Sequence, residues 1–398
     1  MDGSTLIRFA DWFPRLSSTL IFCFVLLAGC GSGSPAWSVP SGGGSSGGSG
    51  GPNYVNYSFT GLVPGAGNMV PVSIAIDASG NAWVGNGGST YASNLFLFEI
   101  QPGAATDCST GCNYFATSAS IINTQAETLA IDMSGNVWMG SVDLFDGTNV
   151  IEVKANAAAD CSSGCAGFKT TSTGSTQKGI AVDGAGNIWT DGAVPGVYEL
   201  SNTGVQIGAF IDSVNYGLSS TSGIAIDGNN NVWVPNPVTN AVMEISPSAA
   251  ADCSSGCTEY TGGGISVPDG VAIDAVGNVW ISNSGNNSVT EITTGAANDC
   301  STGCNSYTTG ALDNPAGIAV DGGGNIWVAN PGNNSITEIY AGNSQPAMYY
   351  TTGNLFTPTA IAIDDSGNVW VVNEGNYSIT EFTALAMPVV TPIVAQPR

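Results

Sequence analysis

Residues 317–330 read Gly317-Ile-Ala-Val-Asp-Gly-Gly-Gly-Asn-Ile-Trp-Val-Ala-Asn330. A short β-branched run, a Gly-rich turn and a second apolar run follow one another. The phrase recurs seven times, and its Asp always stands six residues before its Trp: Asp77/Trp83, Asp132/Trp138, Asp183/Trp189, Asp227/Trp233, Asp274/Trp280, Asp321/Trp327 and Asp364/Trp370. The Trp-to-Trp steps are 55, 51, 44, 47, 47 and 43 residues. A period of about 40–50 residues suits one four-stranded propeller blade.

The sixth copy reads as a whole blade. Runs 317–321, 326–330, 335–339 and 348–352 are separated by Gly/Asn/Pro turns, which is the pattern of four short antiparallel strands. Ile326 and Val328 lie on one pleat face and Trp327 on the other, as expected for a strand covered on both sides. In Asp-x-x-Gly-Asn, Gly supplies positive φ and Asp accepts local backbone N–H groups, so hairpin closure is the reading preferred over a metal role. The seven Trp read as packing between blades. A Glu recurs once per third strand (Glu99, Glu152, Glu199, Glu244, Glu291, Glu338, Glu381) and reads as structural.

Before the first repeat stands Asn56-Tyr-Ser-Phe-Thr-Gly61, like the strand that precedes every other repeat, and after Phe382 the chain turns Pro-rich. The N-terminal strand is therefore expected to complete the last blade. The expectation is an all-β, seven-bladed β-propeller of four-stranded antiparallel blades over residues 53–385, followed by a Pro-rich tail at 386–398.

Residues 1–29 read as a lipoprotein signal peptide. Arg8 and Arg15 precede the apolar run Leu20–Leu27, which is too short to span a bilayer. Leu27-Ala-Gly-Cys30 resembles a bacterial lipobox, with Cys30 as the lipid attachment site. Residues 30–52 are mostly Gly and Ser, a flexible tether of about 25 Å r.m.s.. The layout predicts an exported protein moored to a bacterial membrane surface, the outer membrane in a Gram-negative host, with its domain extracytoplasmic. Lys and Arg number 6 against 30 Asp and Glu, a net charge of −24. That field repels nucleic acid and anionic lipid. A monomer is expected.

Eight of the ten Cys form four Cys-x-x-x-Cys pairs, Cys108/Cys112, Cys161/Cys165, Cys253/Cys257 and Cys300/Cys304, each after an Asp and between the third and fourth strands of its blade. The other repeats lack both members. Joint presence or absence favours local disulfides in an oxidising compartment. The competing reading is zinc bound by four thiolates, but the pairs are expected on outer hairpins of different blades, and the chain has no His.

The repeated phrase resembles that of NHL-repeat propellers, and its Trp spelling is most similar to the streptogramin B lyase-like branch, over about 330 residues. The resemblance implies the propeller; such folds include scaffolds, lyases and hydrolases. It also implies a catalytic His, which this chain lacks, so no catalytic residue is assigned. Without His, Ser–His–Asp and Cys–His schemes are excluded. No cofactor or metal ligand is assigned either. Related propeller hydrolases hold a divalent ion with carboxylates, and such a site here would favour calcium or magnesium.

One register stands out. Five residues before each repeat Asp are Val72, Glu127, Lys178, Ser222, Asp269, Ala316 and Thr359, three of them charged in a chain that is 9% charged. This register is expected to ring one mouth of the central channel. Glu127, Lys178 and Asp269, with Asp143, Asp191 and Glu374 from nearby loops, are the candidate ligand-binding set; the competing reading is a solvated rim. The expected function is a ligand-binding or protein-interaction module. The alternative is a lyase or hydrolase using carboxylates or a divalent metal at the channel mouth.

Overall fold

The computed structural model describes residues 51–59, 69–87, 95–116, 125–142, 150–170, 178–191, 196–210, 221–309, 311–343 and 346–390. The signal peptide, Cys30, most of the tether, Asp143 and residues 391–398 lie outside them.

Seven four-stranded antiparallel sheets follow one another, each formed by consecutive strands except the last. In that seventh blade, strands 358–363, 369–373 and 378–382 are completed by the N-terminal strand Tyr54–Ser58. Tyr54 pairs with Phe382 and Ser58 with Ser378. The join is more than backbone: the Tyr57 ring stacks on Trp370 at 5.8 Å, and its hydroxyl donates to Glu381 at 2.9 Å.

Asp-x-x-Gly-Asn closes the first hairpin of every blade but the fourth, where Asn230 stands in place of Gly. In the second, Asp132 Oδ1 accepts the N–H groups of Ser134 (2.8 Å) and Asn136 (3.0 Å), while Oδ2 accepts Asn136 Nδ2 (2.9 Å) and the indole Nε1 of Trp138 (3.0 Å). The indole bond recurs in all seven blades at 2.9–3.3 Å. It explains the fixed six-residue spacing, since the Asp anchors the Trp as well as the turn. The third turn position is left-handed throughout, with Gly at φ 78–88 and, in the fourth blade, Asn230 at φ 62, the non-glycine residue that tolerates this region best.

The core is seven inter-blade layers. Trp280 packs with Ile318, Ile326 and Val328 of the next blade, and Trp327 with Ile361, Ile363 and Val371 of the blade after. Two residues before each turn Asp the innermost strand carries Ala. That small side chain lets the following blade close in: Ala75 meets Leu129 and Ile131, and Ala130 meets Ile180 and Val182. Within a blade, the Trp ring lies against an aromatic of the fourth strand, as Trp327 does on Tyr350. The Glu between them accepts that tyrosine's hydroxyl, at 3.0 Å for Tyr350 and Glu338, 3.1 Å for Tyr260 and Glu244, and 2.9 Å for Tyr307 and Glu291. The repeated Glu is structural, as its regularity suggests.

All four predicted disulfides are present, each within one Cys-x-x-x-Cys loop. They lie on the expected outer hairpins, between third and fourth strands, but are enclosed there. Cys108, Cys161 and Cys253 are buried and the bridges pack into the layers between blades. The first residues of the Pro-rich tail are also docked: Ala386 N–H donates to Gly367 O (2.9 Å) and Met387 O accepts Gly322 N–H (3.1 Å).

Candidate functional site at the channel mouth

The innermost strands begin at one end of the channel and finish at the Asp turns. Between these ends lies a cavity of about 270 Å³, lined mainly by Ile, Val, Leu and Ala from all seven blades. Its wall holds one aliphatic residue per blade three positions before the turn Asp, such as Ile74, Leu129 and Ile180. The charged register sits two residues further towards the opposite end.

In four blades that register coincides with a β-bulge. Ala126 pairs with Ser141 and Thr128 with Gly140, leaving Glu127 as the extra residue. Val72 and Thr359 are extra in the same way in the first and seventh blades, and Asp269 with Gly270 opposes a single position in the fifth. A bulge leaves one residue out of the ladder and re-aims its side chain. In these four blades the position is thus released from the pairing that fixes its neighbours, whereas in the sixth Ala316 N–H still bonds Ala329 O at 3.0 Å.

In the third blade the same position is held by a side chain. Asp191, the last residue of strand Ile188–Asp191, turns its Oδ1 back to accept the backbone N–H groups of Lys178 (2.8 Å) and Gly179 (3.0 Å). Its Oδ2 accepts the Thr221 hydroxyl from the fourth blade. Asp191 is 1% exposed, so it is a positioning group beneath Lys178 rather than an open loop carboxylate. Burial pushes its carboxyl up to about 6, against the opposing pull of the Thr221 and backbone bonds and the Lys178 charge. Ser222, next to Thr221, donates to the Asp269 carbonyl at 2.7 Å, and Ser282 Oγ to the Ala316 carbonyl at 2.5 Å. Hydrogen bonds of this kind tie one blade's mouth to the next.

Lys178 is exposed, whereas Glu127, Asp269 and Glu374 are half-buried. Burial, then the Glu374 charge, raises the Glu127 carboxyl above its ordinary value, and Lys178 lowers it. Burial likewise raises Asp269, and Lys178 again opposes the shift. The Lys178 ammonium is therefore felt by carboxylates on the second, third and fifth blades. Glu374, which starts the short 3-10 turn Glu374–Asn376, joins through Glu127. Five of the six candidate residues are so brought into one electrostatic neighbourhood, and Asp143 lies outside the described residues. Sequence reasoning missed Thr221, whose role appears only when two blades are set side by side. It also missed Thr359 Oγ1, a buried hydroxyl for which the described residues offer no partner.

Among the described residues, no three acidic or thiol groups stand close enough together to hold a metal ion. What the mouth offers is an ammonium among partly desolvated carboxylates above an aliphatic channel. That arrangement can bind a polar or charged group and can exchange protons with it.

No protein-family model matches the chain. No curated protein matches it either. Solved structures do. Virginiamycin B lyase from Staphylococcus aureus superposes with a TM-score of 0.65 at 16% identity, over 83% of this chain and 99% of that one. The extracellular domain of a putative one-component system from B. thetaiotaomicron gives 0.61 at 14% identity, over 87% of this chain and 42% of that one. YCF48 bound to D1 peptide gives 0.56 at 8% identity, over 83% and 96%. At these identities the likeness is one of fold: the chain is a seven-bladed propeller similar in architecture to streptogramin B lyase and to propellers of extracellular and peptide-bound proteins.

Proposed function

We propose that this protein is a lipid-anchored extracytoplasmic propeller that binds a protein or small-molecule ligand at the channel mouth around Lys178. The observation that carries this reading is the convergence of Glu127, Asp191 and Asp269, from three blades, on one exposed ammonium. A solvated rim needs no buried carboxylate beneath it, whereas Asp191 fixes the backbone that carries Lys178.

Location is supported by the four disulfides, which persist in oxidising compartments, and by fold neighbours that are extracellular domains. Asn53 O, where the chain enters the propeller, accepts Thr383 N–H at 3.0 Å, one residue before Ala384 reaches the Asn368 turn side chain. The chain thus enters the propeller at the end of the Asp turns, opposite the end that carries the charged register.

The test combines two variants. Cys30→Ala should release the protein from membranes or leave its signal uncut; unchanged fractionation with normal processing rules out the anchor. Lys178→Met should abolish capture of any protein or metabolite that the wild type retains from a membrane extract, and equal capture by both rules out the mouth. The enzyme reading draws on the raised Glu127 and Asp269 carboxyls, which suit proton transfer nearer neutrality. Saturable calcium or magnesium binding that Asp269→Asn removes would favour it.

A further inference from the structure

We propose that the four Cys-x-x-x-Cys loops are redox-sensitive clasps between blades: thiol reduction loosens the ring at particular seams without melting the blades. Each loop is built alike. In the first, Cys108 N–H bonds Ala105 O at 2.8 Å and Ala105 N–H bonds Thr110 O at 2.9 Å, a compact frame that the second, fourth and fifth blades repeat. The frame aims one carbonyl, two residues before the first Cys, out of its own blade. Thr106 O accepts Ser58 N–H (3.3 Å), Ala159 O accepts Ala116 N–H (2.9 Å) and Asn298 O accepts Thr261 N–H (2.8 Å). Every donor belongs to the end of the outermost strand of the preceding blade, where an unpaired edge is otherwise exposed.

The cystines also belong to the packing between blades. Cys108 and Cys112 share a cluster with Tyr57 and Phe59 of the closing strand, Cys161 and Cys165 with Phe115, Cys257 with Trp189, and Cys300 and Cys304 with Tyr260 and Trp233. In the fifth blade the contact is close enough to demand glycine. A Cβ on Gly263 of the fourth blade would stand 3.0 Å from Cys300 Sγ and 2.7 Å from Cys304 Cβ. The clasped seams are seven/one, one/two, three/four and four/five, and the first of these holds the strand that closes the ring.

The second Cys of each pair is only half-buried, so a thiolate can reach it. A dithiol such as dithiothreitol transfers two electrons and two protons, leaving as its cyclic disulfide, and the Sγ–Sγ bond becomes two thiols. The loop is then free to leave its frame, and the carbonyl and the cystine contact are withdrawn together.

Hydrogen exchange on the full folded chain tests this, read on peptides that contain Ser58, Ala116 and Thr261, before and after reduction. We expect at least tenfold faster exchange at these three strand ends. Strand 348–350 and the far ends of strands 165–168 and 304–307, at Phe168 and Tyr307, face blades that lack Cys and should be unchanged. If reduction melts the whole chain, the paired substitution Cys161→Ser with Cys165→Ser isolates one seam. It should speed exchange around Ala116 alone. Unaltered exchange around Ala116 in that variant, or acceleration spread evenly over all seven blades, would overturn the proposal.

Discussion

The two ends of the innermost strand behave in opposite ways. At its end, seven turns spell nearly the same thing: Asp, then Gly or Asn in the left-handed region, then Asn, then Trp two residues on. At its start, the seven equivalent positions are Val72, Glu127, Lys178, Ser222, Asp269, Ala316 and Thr359, all different. The turn repeats because each of its side chains is consumed inside the blade, with both oxygens of every Asp accepting hydrogen bonds. The mouth varies because the blade places no common demand on its residues: in the first, second, fifth and seventh blades a bulge lifts them out of the ladder. Uniformity thus marks what folding requires, and variation marks where this chain was free to build a site.

The largest effect should come from breaking a turn. Asp132→Ala leaves the buried Trp138 indole and two backbone N–H groups without acceptors, and a cost of about 3–5 kcal/mol is expected. Asp132→Asn should cost less, about 2 kcal/mol: the amide oxygen keeps the two backbone bonds, while its NH₂ faces two other donors. Urea denaturation measures both. If Asp132→Ala costs under 1 kcal/mol, the repetition has another cause.

An intermediate effect belongs to the seventh blade, where the repeated Glu carries a large upward shift. Burial raises Glu381 to about 7, opposed by the Tyr57 hydroxyl and assisted by Asp364. The folded state therefore holds this proton more tightly than the unfolded one. Stability linked to it is full below about pH 4.5 and is lost as pH rises to 7. Glu381→Gln keeps an acceptor for Tyr57 and should remove that loss, a gain on the order of 2–3 kcal/mol at pH 8 and little at pH 4.5. Equal differences from wild type at both pH values would show that Glu381 titrates normally.

Much of this was legible in the residues. Period, blade count, strand order, ring closure by 54–58 and the Cys pairing follow from local spelling, because each depends on a turn or on a strand's own alternation. The register of charged residues was also visible, being a fixed offset from the Asp. What spelling hides is whatever arises between strands. The bulge that frees Glu127 and Asp269 depends on their pairing with the second strand, and the Thr221–Asp191 bond joins positions thirty residues apart on different blades. The same holds for the bridges: the outer hairpin was legible in the Cys-x-x-x-Cys loop, but the packing of the neighbouring blade's Phe115 or Tyr260 against it was not.

The smallest effect on stability is expected at the mouth, and it tests the central contrast most directly. Urea denaturation at pH 7 should be run on the triple variant Glu127→Gln, Lys178→Met, Asp269→Asn beside wild type. The account predicts a difference within about 1 kcal/mol, with a small gain allowed because two partly desolvated carboxylates are neutralised. A loss as large as that of Asp132→Ala would contradict it, because the mouth would then be part of what holds the propeller together.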